Sequence, residues 1–238
     1  MTTLPAKRRI DEIPSRAQTK MLYERYRPQY EMAQGKVSRK IRKLLAQHGL
    51  NVSTRIRFKT FDSYFNKILR FFNEDRQPLV IYDLIGIRIV ASFLGDLDII
   101  KDILVKNFDV TEIDTKGSKH SFREFGYDSI HLLLRLPKDL VTHQIPFTDL
   151  TCEVQLRTKL QDAWAEVEHE MIYKSDYSLL NEQIKRKLAS LNASLTLSDI
   201  IFQEIREYQR ERQDRDERRR RTIQEKINDI ENIHGLDD

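Results

Sequence analysis

The sequence predicts an α+β fold, a mixed β-sheet flanked by helices, with a long helical extension at the C-terminal end. Three observations lead there. Between about residues 50 and 174, segments of strand character are interspersed with amphipathic helical segments, which builds a mixed layer rather than a helical bundle. Apolar residues are 39% of the 238-residue chain and charged residues 33%, a balance that suits long solvated helices beside a compact centre. Beyond about Tyr177 the strand signals cease, and a rhythm of Leu and Ile gives way to an arginine-rich run.

Residues 1 to about 19 are polar, hold Pro5 and Pro14, and read as a flexible leader. From about Lys20 to His48, Tyr23, Tyr26, Val37, Ile41 and Leu44 fall at mostly helical spacing, and Gly49 is the stop. The next stretch, "NVSTRIRFKTFDSYFNKILRFFN", opens as a basic extended segment. From about Phe61 it becomes a helix with Phe65, Ile68, Leu69 and Phe72 inward. The β-branched run "LVIYDLIGIRIVASF" reads as a buried strand bent at Gly86. "DLDIIKDILVKNF" is a short amphipathic helix, followed by a strand near "DVTEID" and a polar loop, "TKGSKHSFRE". Two more strands, "FGYDSIHLLL" and "LTCEVQLRT", precede a covering helix, "KLQDAWAEVEHEMIYK".

In the extension, Leu180, Ile184, Leu188, Leu191 and Leu195 keep a 3- or 4-residue rhythm, expected of a helix docked on the domain. Residues 206–221 carry eight arginines and five acids, too polar to bury, and read as a solvated helix. The expected division is a leader at 1–19, a catalytic domain at 20–178 and a helical extension at 179–238. The net charge of +4 admits an anionic partner. With Cys152 as the lone cysteine, a disulfide framework and a cysteine-based zinc site are excluded. The first twenty residues lack the apolar core of a signal peptide and no apolar run reaches membrane-spanning length, so the expected location is cytoplasmic.

Four polar clusters carry the chemistry. Arg57 and Lys59 precede a helix start, with Ser63 and Lys67 four apart on one face of that helix. Cations beside free backbone N–H groups make a phosphate cradle. Asp83 and Arg88 interrupt an apolar strand, where an unpaired charge costs several kcal/mol, so both need partners. Strict alternation puts these two on opposite faces, which requires a bulge or strong twist near Gly86. In "TCEVQLRT", Glu153, Gln155 and Arg157 form one face and Cys152, Val154 and Leu156 the other. In "FGYDSIHLLL", Tyr127, Ser129 and His131 share a face opposite Ile130, Leu132 and Leu134. Each cluster alone is equally compatible with a solvated surface. Together they offer cations for phosphates, two acids (Asp83 and Glu153) for magnesium, and Tyr127 as a platform for a base. Magnesium favours one or two carboxylates plus substrate oxygens over a full protein cage. The set points to phosphoryl transfer.

From roughly Lys20 to Lys174 the chain resembles the RelA/SpoT family of alarmone synthetases in its short, single-domain form. The resemblance rests on Arg57-x-Lys59-x-x-x-Ser63-x-x-x-Lys67, on "YDLIGIR", on "GYDSIH", and on "EVQLRT" followed by "AWAEVEH". It implies a nucleotidyltransferase-like sheet and a pyrophosphokinase that moves the β,γ-diphosphate of ATP to the 3′-hydroxyl of GDP or GTP, with Mg2+ and release of AMP. By the same resemblance Arg57 and Arg88 sandwich adenine, and Lys59, Ser63 and Lys67 hold the donor phosphates. Asp83 binds the metal, and Glu153 joins it or activates the attacking hydroxyl. Tyr127 stacks on guanine, with His131 and Gln155 on the acceptor side.

Family members often carry basic residues around the glycine–tyrosine pair, whereas Glu124 and Asp128 flank it in this chain, with Arg123, Lys119 and Lys116 upstream. The acceptor preference is therefore left open. No His-Asp dipeptide occurs, so the expectation is synthesis without hydrolysis. Short members are often homotetramers joined through terminal helices, and a homo-oligomer is expected. One rival is a relative that pyrophosphorylates the 3′ end of tRNA, with the arginine-rich segment gripping RNA. The other is a non-catalytic nucleotide-binding scaffold, against which intact Asp83 and Glu153 argue.

Overall fold

The computed structural model describes residues 13–74, 79–116, 129–174 and 181–234. Helix α1 (Arg16–Gln47) leads into strand β1 (Ser53–Phe58) and helix α2 (Phe61–Asn73). Strand β2 (Ile85–Ala91), helix α3 (Leu94–Asn107) and strands β3 (Val110–Lys116) and β4 (Ser129–Arg135) follow. After a 3-10 turn at Lys138–Leu140 come β5 (Thr151–Thr158), α4 (Lys159–Lys174) and the long α5 (Glu182–His234). The described strands form one sheet in the order β1-β2-β5-β4-β3. The β2–β5 pair is parallel and the other three pairs are antiparallel. The expected mixed sheet flanked by helices is what forms.

One sheet face is core. Ile85, Ile87 and Ile89 of β2, Cys152, Val154 and Leu156 of β5, and Leu132 and Leu134 of β4 pack with Tyr30, Val37 and Ile41 of α1 and Ile100 and Leu104 of α3. Their alternation along each strand follows from the two-residue period of a sheet with one buried face. Burial also pushes the Cys152 thiol up, so it serves as a small apolar side chain. The opposite face carries the polar members of the same strands.

Four expectations change. Helix α1 begins at Arg16, earlier than Lys20, because Pro14 lies just outside the helix and the Thr19 hydroxyl closes the first turn on the Ser15 carbonyl at 2.8 Å. It ends as expected at Gly49, whose φ of 67° is the left-handed conformation glycine tolerates. Strand β2 does not run through the whole apolar segment. Ile81 makes an isolated parallel bridge with Thr148, Leu84 is a bend, and Asp83 precedes the strand. The Lys59 N–H donates to the Leu84 carbonyl at 2.9 Å and fixes that bend. Pairing through Gly86 is regular on both sides, so the required change of face comes from the bend and not from a bulge. The register shift lies instead in β3, between Val110 and Glu112.

The last change concerns α5. Its docking contacts are polar: Asp199 accepts from the buried Thr158 hydroxyl at 2.6 Å, Arg206 pairs with Asp96 at 2.6 Å, and Gln203 accepts from the Gly95 N–H at 3.0 Å. A Cβ on Gly95 would meet the Gln203 amide at 2.8 Å, so a side chain there would push this contact aside. Leu188 and Leu195 are half-buried, whereas Ile184 and Leu191 of the expected stripe are exposed. The helix is turned so that positions 199, 203 and 206 face the domain, because there they satisfy the start of α3 and the end of β5. The arginine-rich stretch is an exposed helix, as expected. Residues 1–12, Tyr127 and Leu180 lie outside the described residues. Within them, no helix is long and apolar enough to cross a membrane.

Candidate active site

The polar sheet face is laid out in two rows by strand register. Arg57, Gly86, Glu153 and Leu133 lie side by side across β1, β2, β5 and β4. One pleat along, Arg55, Arg88, Gln155 and His131 form the second row. Over these rows opens a cleft of about 300 Å³, lined by both rows' arginines together with Lys59, Asp83, Gly86, Glu153, Gln155 and Glu166. Gly86 leaves the centre of the first row without a side chain, so the floor is open between Arg57 and Glu153. The buried Gln34 of α1 braces this spot by donating to the carbonyls of Arg57 at 2.9 Å and Gly86 at 3.0 Å.

Asp83 sits at the mouth of the β2 bend and is shared by two ammonium groups. Lys59 donates to Oδ2 and Lys67 to Oδ1, each at 2.8 Å. Burial opposes the charge on Asp83, but the hydrogen bonds and charges of the two lysines outweigh it and hold the carboxyl below its usual range. Lys67 comes from α2, whose start is capped by the Thr60 hydroxyl accepting from Ser63 N–H at 3.3 Å. Ser63 stands in that first turn, its own hydroxyl receiving a bond from Thr60 at 3.0 Å, and is not a wall of the cleft.

Glu153 is the second carboxylate. His131 Nδ1 lies 3.0 Å from Oε1, and the Gln155 amide donates to Oε2 at 2.9 Å. Burial again opposes ionisation, yet the His131 bond and charge and the Gln155 amide keep this carboxyl low as well. Asp83 and Glu153 both line the cleft, so the two carboxylates share one site. No group of three or more metal-type ligands occurs among the described residues. Two ionised acids in one cleft fit a magnesium ion whose remaining ligands come from phosphate and water. His131 is nine-tenths buried, and its Nε2 has no partner among the described residues.

The fold thus assembles Arg57, Lys59, Lys67, Asp83, Arg88, Glu153, Gln155 and His131 around one cleft, and leaves Ser63 off its walls in the first turn of α2. Sequence reasoning missed Arg55, Asp162 and Glu166. Arg55 was within reach, since "RIRFK" puts Arg55, Arg57 and Lys59 on one face by strand period. Asp162 and Glu166 are four apart on α4, and only the fold shows that they reach Arg55 and Arg88.

Known proteins agree with this architecture. The profile described as "Region found in RelA / SpoT proteins" matches residues 56–178, just over half of the chain. The chain belongs to the RelA/SpoT family. Among curated relatives, the GTP pyrophosphokinases YwaC and YjbM of Bacillus subtilis (strain 168) are 31% identical over 146 residues and 30% identical over 124 residues. Those alignments take in 59% and 52% of this chain and 66% and 57% of the relatives' own lengths. The crystal structure of small alarmone synthetase 1 from Bacillus subtilis superposes with a TM-score of 0.65 at 26% identity, covering 79% of this chain and 98% of that one. The same synthetase bound to its product pppGpp gives 0.64 at 25% identity, covering 78% and 97%. The family segment ends before α5 begins at Glu182.

Proposed function

We propose that this chain is a short alarmone synthetase, transferring pyrophosphate from ATP to the 3′-hydroxyl of GDP or GTP to make (p)ppGpp and AMP. The observation that carries it is the pair of carboxylates, Asp83 and Glu153, facing one cleft between a lysine pair and an arginine row. The pyrophosphokinase relatives and the pppGpp-bound neighbour support the same reading.

Arg57 and Arg88 are diagonal neighbours across β1 and β2, and diagonal side chains stand about 7–8 Å apart, a gap that one planar base fills. Guanidinium faces stack on adenine while their charge opposes the triphosphate. Lys59 and Lys67 turn from Asp83 to the donor phosphates, with Ser63 at the helix start beside them. Asp83 and Glu153 are the residues that would hold Mg2+, which when bound supplies charge neutralisation on the transferring phosphates. Glu153 orients the attacking 3′-hydroxyl, and His131, Gln155 and Tyr127 form the acceptor side. Catalysis of this kind rests on in-line positioning and electrostatics more than on covalent help. The chain works in the cytoplasm and assembles as a homo-oligomer, a tetramer being the favoured size.

Incubation with γ-labelled ATP and magnesium, offering GDP, GTP, ATP and deacylated tRNA separately, tests the reading. Label on GDP or GTP is the expected outcome. Label on tRNA alone would transfer the assignment to the RNA-modifying relative and give the arginine-rich part of α5 an RNA-binding role. No transfer at all would leave only a nucleotide-binding scaffold.

A further inference from the structure

We infer that Asp162 of α4 is a positioning residue for the donor-base arginine Arg88, with Glu166 as its outer arm. This rests on the role given to Arg88 above. Arg55 and Arg88 stand directly opposite each other in the β1–β2 ladder, two like charges on adjacent strands. Like charges so placed repel, and without counter-charges the two side chains splay. The counter-charges come from α4. Asp162 Oδ1 accepts from Arg88 Nη1 at 2.9 Å, and its Oδ2 lies 3.4 Å from Arg55 Nη1. Arg157 approaches the same carboxylate at 3.9 Å. One helical turn later Glu166 accepts from Arg55 and lies 3.5 Å from Arg88.

The geometry separates two uses of a guanidinium. Its edge donates hydrogen bonds and its face stacks. Asp162 takes the Nη1 edge of Arg88, which ties that end of the group to α4 and leaves the face for the base. Burial makes this firm: the Asp162 side chain is 6% exposed against 25% for Arg88, so the carboxylate is anchored while the guanidinium keeps an open side on the cleft. Arg55 lies too near Arg88 for a base to enter between them, since directly opposed side chains are about 4.5–5.5 Å apart. Its part is to complete the acid–arginine set. Asp162 touches neither the cleft nor, by this reasoning, the substrate.

The test is a double-mutant cycle between Asp162→Asn and Arg88→Ala, read by titration with the non-hydrolysable donor AMPCPP and by the KM and kcat for ATP. Asp162→Asn is expected to weaken AMPCPP binding about tenfold and raise the KM for ATP alike, with kcat changed by less than about threefold, since a uniform binding loss leaves kcat alone. In the Arg88→Ala background it should do nothing further, because the residue it positions is gone. A loss of equal size in both backgrounds would assign Asp162 a purely structural role and overturn the inference, as would no loss in either. Should Arg88→Ala bind AMPCPP like wild type, the donor-site reading of Arg88 falls, and this inference with it. If Asp162→Asn does not fold, Glu166→Gln, at an exposed position, carries the same cycle with an expected loss of about threefold.

Discussion

Replacing Asp83 by Asn keeps the shape of the side chain and removes one charge, so its consequences can be worked from the ion pairs alone. The side chains of Lys59, Lys67 and Asp83 are 16%, 20% and 26% exposed, and each lysine lies 2.8 Å from its carboxylate oxygen. Breaking one side of a fully buried pair costs about 3–5 kcal/mol, and an exposed pair contributes about 0–1 kcal/mol. At these exposures the loss should be about 2 kcal/mol, which for a domain of this size lowers Tm by roughly 4–8 °C. The effect has a pH signature. Asp83 has a depressed folded pKa, so its stabilisation is fully present above the unfolded carboxylate value and vanishes as pH falls through the folded one. Wild type and Asp83→Asn should therefore differ in Tm at neutral pH and converge in acid. Transfer from labelled ATP should fall by at least about a hundredfold. Binding of AMPCPP without magnesium should be unchanged or tighter, since the lysines no longer need to leave a carboxylate. Melts at pH 7 and in acid, a metal-free titration and the transfer assay check all three. A variant with wild-type melting and near-normal turnover would refute the lysine–carboxylate account.

Glu153→Gln should abolish transfer while folding normally, and near-normal turnover in both Glu153→Gln and Asp83→Asn would end the two-carboxylate assignment. Tyr127→Ala should weaken acceptor use tenfold to a hundredfold, stacking on a base being worth about 1–3 kcal/mol, with AMPCPP binding intact. An unchanged acceptor titration would remove Tyr127 from the site. A chain ending near Tyr208 keeps the anchors at Asp199, Gln203 and Arg206 and should stay folded. Light scattering on it and on the full chain then reads assembly, where a monomeric full-length protein would refute the homo-oligomer.

What the sequence revealed and what it hid divide along physical lines. Period-two alternation in "TCEVQLRT" correctly separated Glu153 and Gln155 from the core, because a strand with one buried face allows no other arrangement. Alternation alone left the relation of Asp83 to Arg88 open and required a break near Gly86, which the fold supplies as a bend at Leu84. Alternation was carried through a segment whose first part is held out of the ladder by the Lys59–Leu84 bond, a contact between residues 25 apart in sequence that no local pattern reports. That α5 docks on the domain was legible, but not the residues that make the contact. Its leucines carry the regular rhythm, yet the domain recognises Asp199, Gln203 and Arg206, whose partners on β5 and α3 are set by tertiary placement. Asp162 and Glu166 resembled any acids on a solvated helix until β1 and β2 brought two arginines beneath them.

These pairings give the cleft a common logic. Lys59 and Lys67 hold Asp83, Arg55 and Arg88 hold Asp162 and Glu166, and His131 holds Glu153. Lys59, Lys67, Arg55 and Arg88 each have a carboxylate partner, which offsets the cost of holding their charges half-buried. On the proposed reading, substrate binding would be an exchange of counter-ions: phosphate oxygens would take the lysines, and the released Asp83 would become available to a metal. Arg57 is the exception, having no carboxylate partner among the described residues and standing exposed at the edge of β1. Its guanidinium can therefore meet an anionic ligand without first giving up a carboxylate. On the same reading, Arg57 would take the donor base without exchanging a counter-ion, whereas the lysines would first have to leave Asp83.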